Sequence, residues 1–123
     1  MSYYYLASPY THKDPTVRQQ RYEEVQYYTG LFVLNNLHIF SPIVHSHDLA
    51  VKYALPVDIT FWKDYCEAML QPALAIWVLQ LPGWDDSNGI KSEIEFAMAN
   101  KIPISYVDPL KPYDHLFLKL KTL

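Results

Sequence analysis

The most constraining feature of the sequence is an almost entirely apolar segment, LAIWVLQL, at Leu74–Leu81. The segment is shorter than a typical helix and lacks polar alternation, so it predicts a β-strand that is covered on both faces. Strands of this kind belong to parallel sheets, in which helices connect successive strands. A chain of 123 residues, 50% hydrophobic and 19% charged, has room for one such core, and we expect a single domain over residues 1–123.

Short apolar segments alternate with helical patterns along the rest of the chain. Further strands are predicted at Tyr3–Ala7, Leu37–Phe40 and Ile102–Val107. Helices are predicted at Pro15–Asn35, near Asp48–Tyr53, near Thr60–Leu70, from about Ile90 and around Tyr113–Leu120. This order predicts a doubly wound α/β fold, flavodoxin- or Rossmann-like, with a parallel sheet of four to five strands and helices on both faces. Ligands bind such sheets beyond the carboxyl ends of the strands, which here lead into the loops SPYTH, SPIVHSHD and PGWDDSNG.

Composition excludes several classes of function. Ten basic against thirteen acidic side chains give a net charge of −3, so we expect no nucleic acid partner. The single cysteine, Cys66, leaves no internal disulfide and no multi-cysteine zinc site. No apolar run reaches the ~20 residues that cross a bilayer, and the N-terminus does not resemble a signal peptide, so we expect a cytoplasmic protein with no membrane partner. Eleven tyrosines favour ligand clefts and subunit interfaces.

The stretch GWDDSNGIKSEIEFA combines an acidic turn with the start of a helix. A helix that begins near Ile90 places Glu93 in its first turn, at the edge of the face that meets the sheet. Such a carboxylate is favoured in its ionised form and could act as a nucleophile or a base. The hydroxyl and backbone N–H groups of Ser87, Asn88 and Gly89 could bind a phosphate or a sugar. The alternative is an ordinary acidic residue that favours a helix N-terminus.

Four segments in order, YYYLASPYTH, FSPIVHSH, LPVDITFWKDY and WVLQLPGWDDSNGIKSEIEFAMANKIPI, resemble the DUF1937 family. This small family is related to nucleoside 2-deoxyribosyltransferases and 2'-deoxynucleoside 5'-phosphate N-hydrolases. The resemblance implies a doubly wound fold, a glutamate nucleophile that attacks the anomeric carbon of a deoxyribose, and an active site completed by a neighbouring subunit. We therefore expect a homo-oligomer, a dimer or larger.

Carried over position by position, the resemblance assigns roles to several residues. Glu93 follows Gly89 by four residues and precedes Ala97 by four, which is the spacing around the nucleophile of the related enzymes. Tyr5 matches a tyrosine that touches the nucleophile. Ser87 stands where the monophosphate hydrolases have a phosphate-binding serine, which favours a nucleotide over a free nucleoside.

The chain departs from the related enzymes at the carboxylate that assists the leaving base. Cys66 occupies that position, with Asp64 and Glu67 close by. Either Asp64 or Asp58 takes over the protonation, or the protein binds a nucleotide without turning it over. The resemblance thus leaves an enzyme and a sensor or sequestering protein as the two alternatives.

Other residues have two interpretations each. His45 and His47, with Asp48, could form part of a metal-dependent hydrolase, but no second ligand cluster follows, and we expect His45 to cap the cleft or to pair locally. Arg18 and Arg21 could clamp a phosphate, or they could lie on a solvated helix face. Trp84 could stack on a base or hold its own loop in place.

The sequence therefore predicts an N-glycosidase that acts on a (deoxy)nucleoside 5'-monophosphate or nucleoside, by hydrolysis or base transfer. The catalytic residues would be Glu93, Tyr5 and Asp64. The substrate-binding residues would be Ser8, Tyr10, His45, Asp58, Trp84, Ser87, Asn88 and Gly89. No metal and no organic cofactor are implied, and the partner is a small-molecule nucleotide or nucleoside.

Overall fold

A computed structural model describes residues 2–112 of the chain and contains an all-parallel sheet of four strands in that range. The strands are β1 (Tyr4–Ala7), β2 (Ile39–Phe40), β3 (Ala75–Leu79) and β4 (Ile104–Val107). Their order in the sheet is β2-β1-β3-β4, so β3 is central and is buried along its whole length. The predicted doubly wound α/β fold is confirmed. The helix predicted around Tyr113–Leu120 lies outside the described residues.

Side-chain caps explain where each helix begins. The helices are α1 (Pro15–Leu34), α2 (Pro42–Tyr53), α3 (Ile59–Leu70) and α4 (Asn88–Ala99). The residues that cap them are Asp14, Ser41, Asp58 and Ser87, and each accepts a hydrogen bond from an N–H group in the first turn. Such caps satisfy N–H groups that the helix itself leaves unpaired.

Two predicted boundaries in the site region were wrong. The segment that follows Ser41 was expected to be a loop up to Asp48, but α2 already begins at Pro42. Ser41 is an N-cap and Pro42 takes the first helical position, where a missing N–H group costs nothing. Similarly, α4 begins at Asn88 rather than near Ile90, so Glu93 lies beyond the first turn and is buried instead of lying at the edge of the helix face.

The sheet separates two hydrophobic layers because side chains alternate along each strand. On one face, Leu6 and Trp77 pack against Val25 and Phe32 of α1. On the other face the packed side chains come from β1, β3, α3 and α4: Tyr5, Ala7, Ile76, Val78, Cys66, Leu70, Ile90 and Ala97. The second layer therefore places α4 against the same face of the sheet as the tyrosine of β1. Within residues 2–112, no helix has both the length and the apolar character that a membrane crossing requires.

Candidate functional site

A buried tyrosine and a buried glutamate form the centre of the candidate site. Tyr5 lies on β1 with no exposed surface, and Glu93 on α4 is 8% exposed. The hydroxyl of Tyr5 donates a hydrogen bond to Oε2 of Glu93. Strand alternation directs Tyr5 toward α4, and α4 carries Glu93 on the face that also buries Ile90 and Ala97. The fold thus brings together two residues that are 88 positions apart in the sequence.

Burial dominates the electrostatics of this pair. It raises the pKa of Glu93 to about 7, while the hydrogen bond from Tyr5 opposes that change. The pKa of Tyr5 is raised well above its ordinary value by burial and also by the nearby Glu93 charge. Tyr5 therefore keeps its proton and donates it in a hydrogen bond. A carboxylate that changes its ionisation near neutral pH in a cleft is a typical feature of a functional site.

Cys66 lies next to the Tyr5–Glu93 pair. Cys66 is 7% exposed and packs in the same hydrophobic cluster as Tyr5. Burial raises the pKa of Cys66 to about 11, so the thiol stays protonated at neutral pH. A protonated thiol is a poor nucleophile. Glu93 is therefore the stronger candidate for covalent chemistry.

Glu93 lines a first cavity, which lies beyond the carboxyl end of β1. Ser8 and Tyr10 line it after β1, Asp58 and Trp62 line it from the start of α3, and α2 closes another side. The buried Oγ of Ser8 has no hydrogen-bond partner among residues 2–112. Because buried polar atoms are usually paired, this hydroxyl is available to a ligand in the cavity.

A second cavity adjoins the first at the N-terminus of α4. Thr11, Asp58, Ile59, Ser87 and Gly89 line both cavities. The second cavity alone contains the side chains of His12, Arg21, Asp86 and Asn88, together with Gly83. One ligand could therefore reach both spaces past Ser87 and Gly89.

Gly83 allows the guanidinium of Arg21 to reach this second cavity. Its φ of +92° is a conformation that glycine adopts without strain, and a Cβ at this position would lie 2.7 Å from Nη2 of Arg21. Nη1 of Arg21 donates to the carbonyl oxygen of Thr11 at 3.1 Å. Arg21 thus lines the same cavity as Asn88 and Gly89 at the start of α4, and a guanidinium together with a helix N-terminus suits an anionic group.

A family model described as "Domain of unknown function (DUF1937)" matches residues 2–108. The chain belongs to the DUF1937 family. The resemblance to this family is confirmed, and the matched range includes all four strands and both cavities. A comparison with curated proteins finds no match. The family description names no activity.

Four of the predicted site residues of the DUF1937 chain line neither cavity: Tyr5, which contacts Glu93, and also Asp64, His45 and Trp84. Asp64 is on the exposed side of α3. His45 is exposed, stacks on Tyr65 and shares a hydrogen bond of 2.7 Å with the Tyr65 hydroxyl, so it pairs locally. Trp84 packs against Tyr106 in an edge-to-face contact, so it holds its loop against the sheet. Asn88 lines only the second cavity.

The sequence did not point to a buried polar network behind Tyr10. His47 is 3% exposed, its Nδ1 lies 2.7 Å from the hydroxyl of Tyr10, and its Nε2 lies 2.8 Å from Oε1 of Gln19. Because the Gln19 oxygen only accepts, Nε2 carries the proton and Nδ1 accepts from Tyr10. Burial lowers the pKa of His47, which favours this neutral form. The network therefore fixes the Tyr10 ring at the cavity wall.

His45 and His47 point in different directions and do not form a common site. His45 contacts Tyr65 on α3, whereas His47 stacks on Tyr22 of α1. In the part of the chain that the structure describes, no group of three or more His, Cys, Asp or Glu side chains could hold a metal ion.

Proposed function

We propose that this protein cleaves the N-glycosidic bond of a nucleoside 5'-monophosphate or a related nucleoside, by hydrolysis or base transfer. The observation that carries the proposal is the buried carboxylate of Glu93, which accepts a hydrogen bond from the Tyr5 hydroxyl and lines the first cavity. A carboxylate in this setting is suited to attack an anomeric carbon. The spacing of Gly89, Glu93 and Ala97, which resembles that of the related transferases and hydrolases, supports the same role.

In the proposed reaction, ionised Glu93 attacks the anomeric carbon and forms a glycosyl-enzyme ester while the base departs. Tyr5 holds the carboxylate by donating to Oε2, which leaves the other oxygen free to attack. Water or a second base then attacks the same carbon and releases Glu93. Because burial raises the pKa of Glu93 to about 7, the reactive form accumulates as the pH rises through neutrality.

The two cavities divide the proposed substrate. The base and sugar occupy the first cavity, where the unpaired hydroxyl of Ser8 meets the sugar. The 5'-phosphate lies in the second cavity, against Arg21 and the N-terminus of α4. Ser87 and Gly89 line both spaces and therefore lie where the sugar joins its phosphate.

The test is chromatography of 5'-mononucleotides, both deoxy and ribo, incubated with the protein. We expect free base from the wild type and none from Glu93→Gln. Glu95→Gln is the matched control, because Glu95 lies on the same helix but is exposed. Release of base by Glu93→Gln at the wild-type rate would contradict the proposal. Trapping of a glycosylated Glu93 peptide by mass spectrometry would locate the covalent step.

The alternative is a protein that binds a nucleotide without turning it over. It is favoured by the exposure of Asp64 and by the protonated thiol of Cys66, since neither presents a carboxylic acid to a departing base. Calorimetric binding of a mononucleotide, with no base released over a long incubation, would favour this alternative. As part of either proposal we expect a dimer or larger assembly, which sedimentation can test.

A further inference from the structure

The lining of the first cavity combines acidic and aromatic side chains. Two carboxylates, Asp58 and Glu93, line it, and no Lys or Arg side chain of residues 2–112 does. Two aromatic side chains, Tyr10 and Trp62, also face it. Arg21 lies in the second cavity instead, although that space also has carboxylates. Carboxylates and aromatic faces together favour a cationic ligand.

Among residues 2–112, the side chains that line the first cavity include no efficient proton donor for a departing base. The hydroxyl of Tyr10 already donates to His47, and the Nε1–H of Trp62 donates to the carbonyl oxygen of Pro56 at 2.7 Å. The Cys66 thiol, with a pKa of about 11, is a very weak acid. Glu93 itself must be ionised to attack.

Asp58 does not fill this gap. It is exposed, and its Oδ1 accepts the N–H of Phe61 at 2.9 Å as the N-cap of α3. This carboxylate is therefore already engaged in capping α3.

The kind of leaving group follows from these two features. A neutral purine or pyrimidine leaves as an anion unless it is protonated, whereas a base bound through a cationic ring nitrogen leaves as a neutral molecule. We propose that the substrate is a 5'-phosphorylated N-glycoside of a cationic heterocycle, such as a pyridinium nucleotide. This inference rests on the proposed N-glycosidase function and names its substrate class.

The reaction balances without a general acid. A carboxylate oxygen of Glu93 forms a bond to the anomeric carbon, and the bond from that carbon to the ring nitrogen breaks. The bonding electron pair stays on the nitrogen and neutralises its positive charge. Water then attacks the anomeric carbon, which releases the sugar phosphate, ionised Glu93 and one proton. No oxidant or reductant is needed.

The fit of such a substrate uses both cavities. The positively charged ring would lie in the first cavity, which Tyr10, Trp62, Asp58 and Glu93 line, while the phosphate would lie in the second cavity, which Arg21 lines. The positive ring of the substrate thus lies near carboxylates of the protein, and its negative phosphate lies near a guanidinium. A ring that carries its own carboxylate would lose this advantage, because it would face Asp58 and Glu93.

The experiment compares nicotinamide mononucleotide with nicotinic acid mononucleotide, AMP, dAMP, CMP and dCMP, at equal concentrations, by chromatography of the released base. We expect the full-length wild type to release nicotinamide at least tenfold faster than any of the other bases, and Glu93→Gln to release none. Release of a neutral base from AMP, dAMP, CMP or dCMP at an equal or higher rate would overturn the inference and leave the N-glycosidase function standing. Absence of base from every nucleotide would overturn both.

A second variant tests the role of Asp58 as a specificity-determining residue. Asp58→Asn keeps the N-cap of α3, because asparagine caps as well as aspartate. We expect it to lower kcat/KM for nicotinamide mononucleotide about tenfold. Asp85→Asn is the control, since Asp85 is exposed and lines neither cavity. Equal kcat/KM in wild type and Asp58→Asn would contradict this role.

Discussion

Replacement of Glu93 by glutamine should stabilise the protein at alkaline pH while abolishing its proposed activity. Glutamine keeps the size of the side chain and an oxygen that accepts from Tyr5, but it removes the charge. In the folded protein the pKa of Glu93 is about 7, against a reference value of 4.5. This difference corresponds to about 3 kcal/mol of folding free energy, at 1.36 kcal/mol for each unit of pKa.

The direction of the effect follows from proton linkage. The folded protein binds the Glu93 proton more tightly than the unfolded chain does, because the folded pKa is the higher one. The corresponding stability is therefore fully present below pH 4.5 and is lost as the pH rises to about 7. The glutamine variant has no such loss. We expect the two proteins to be nearly equal in stability at pH 4.5 and to differ by up to about 3 kcal/mol at pH 8.

Thermal unfolding, followed by circular dichroism at both pH values, measures this difference. For a domain of this size, about 3 kcal/mol corresponds to an increase in Tm of roughly 10 °C for Glu93→Gln at pH 8. Glu95→Gln should leave Tm almost unchanged at both pH values, because Glu95 is exposed. Two results would refute this reasoning. Glu93→Gln could be less stable than the wild type at pH 8, or its Tm could differ from the wild-type Tm by the same amount at both pH values.

Three further predictions concern the site. The wild-type rate should rise about tenfold from pH 6 to pH 8. Tyr5→Phe should move the midpoint of this pH–rate profile upward by about one pH unit, because the hydrogen bond from Tyr5 favours ionised Glu93. A midpoint that stays at the same pH would contradict the role of Tyr5. Arg21→Ala should raise KM about tenfold or more for a nucleotide but not for the nucleoside. Lys91→Ala is the control, because Lys91 is exposed. An equal rise in KM for both substrates would argue against phosphate binding by Arg21. Ser8→Ala should change Tm little, since Oγ has no partner among residues 2–112, yet weaken nucleotide binding measured by calorimetry; unchanged affinity would remove Ser8 from the site.

Local sequence signals predicted most of the fold. The start of α1 at Pro15 was predicted correctly, because the preference of proline for the first helical position depends on neighbouring residues alone. The apolar segment at Leu74–Leu81 was correctly identified as a strand that is buried on both faces. Ser41-Pro42 was misread, because the same two residues can end a strand or begin a helix. A helix begins at this position because the inner face of α2 packs against the rest of the protein.

The network behind Tyr10 was missed for the same reason. With α2 starting at Pro42, the positions of Ile43, His47 and Ala50 have the spacing of one helix face, and His47 and Ala50 are buried. That spacing would have identified His47 as an inward-facing side chain. The contact of Tyr5 with Glu93 could not be read from spacing at all, because it joins a strand and a helix 88 residues apart. Only the resemblance to a family indicated it.

Burial of Glu93 connects the stability of the protein with its proposed chemistry. A carboxylate in water has a pKa near 4.5, is fully ionised at neutral pH and is a weak nucleophile. Burial makes the ionised form more costly, but it also makes that form more basic and removes water from its oxygens. The hydrogen bond from Tyr5 limits the change, so that Glu93 exchanges its proton near neutral pH and part of the population is ionised at pH 7. A bound cation in the first cavity would raise this fraction further, because it stabilises the ionised carboxylate before the reaction begins. Binding of nicotinamide mononucleotide should therefore release protons near pH 7, whereas binding of AMP should release fewer.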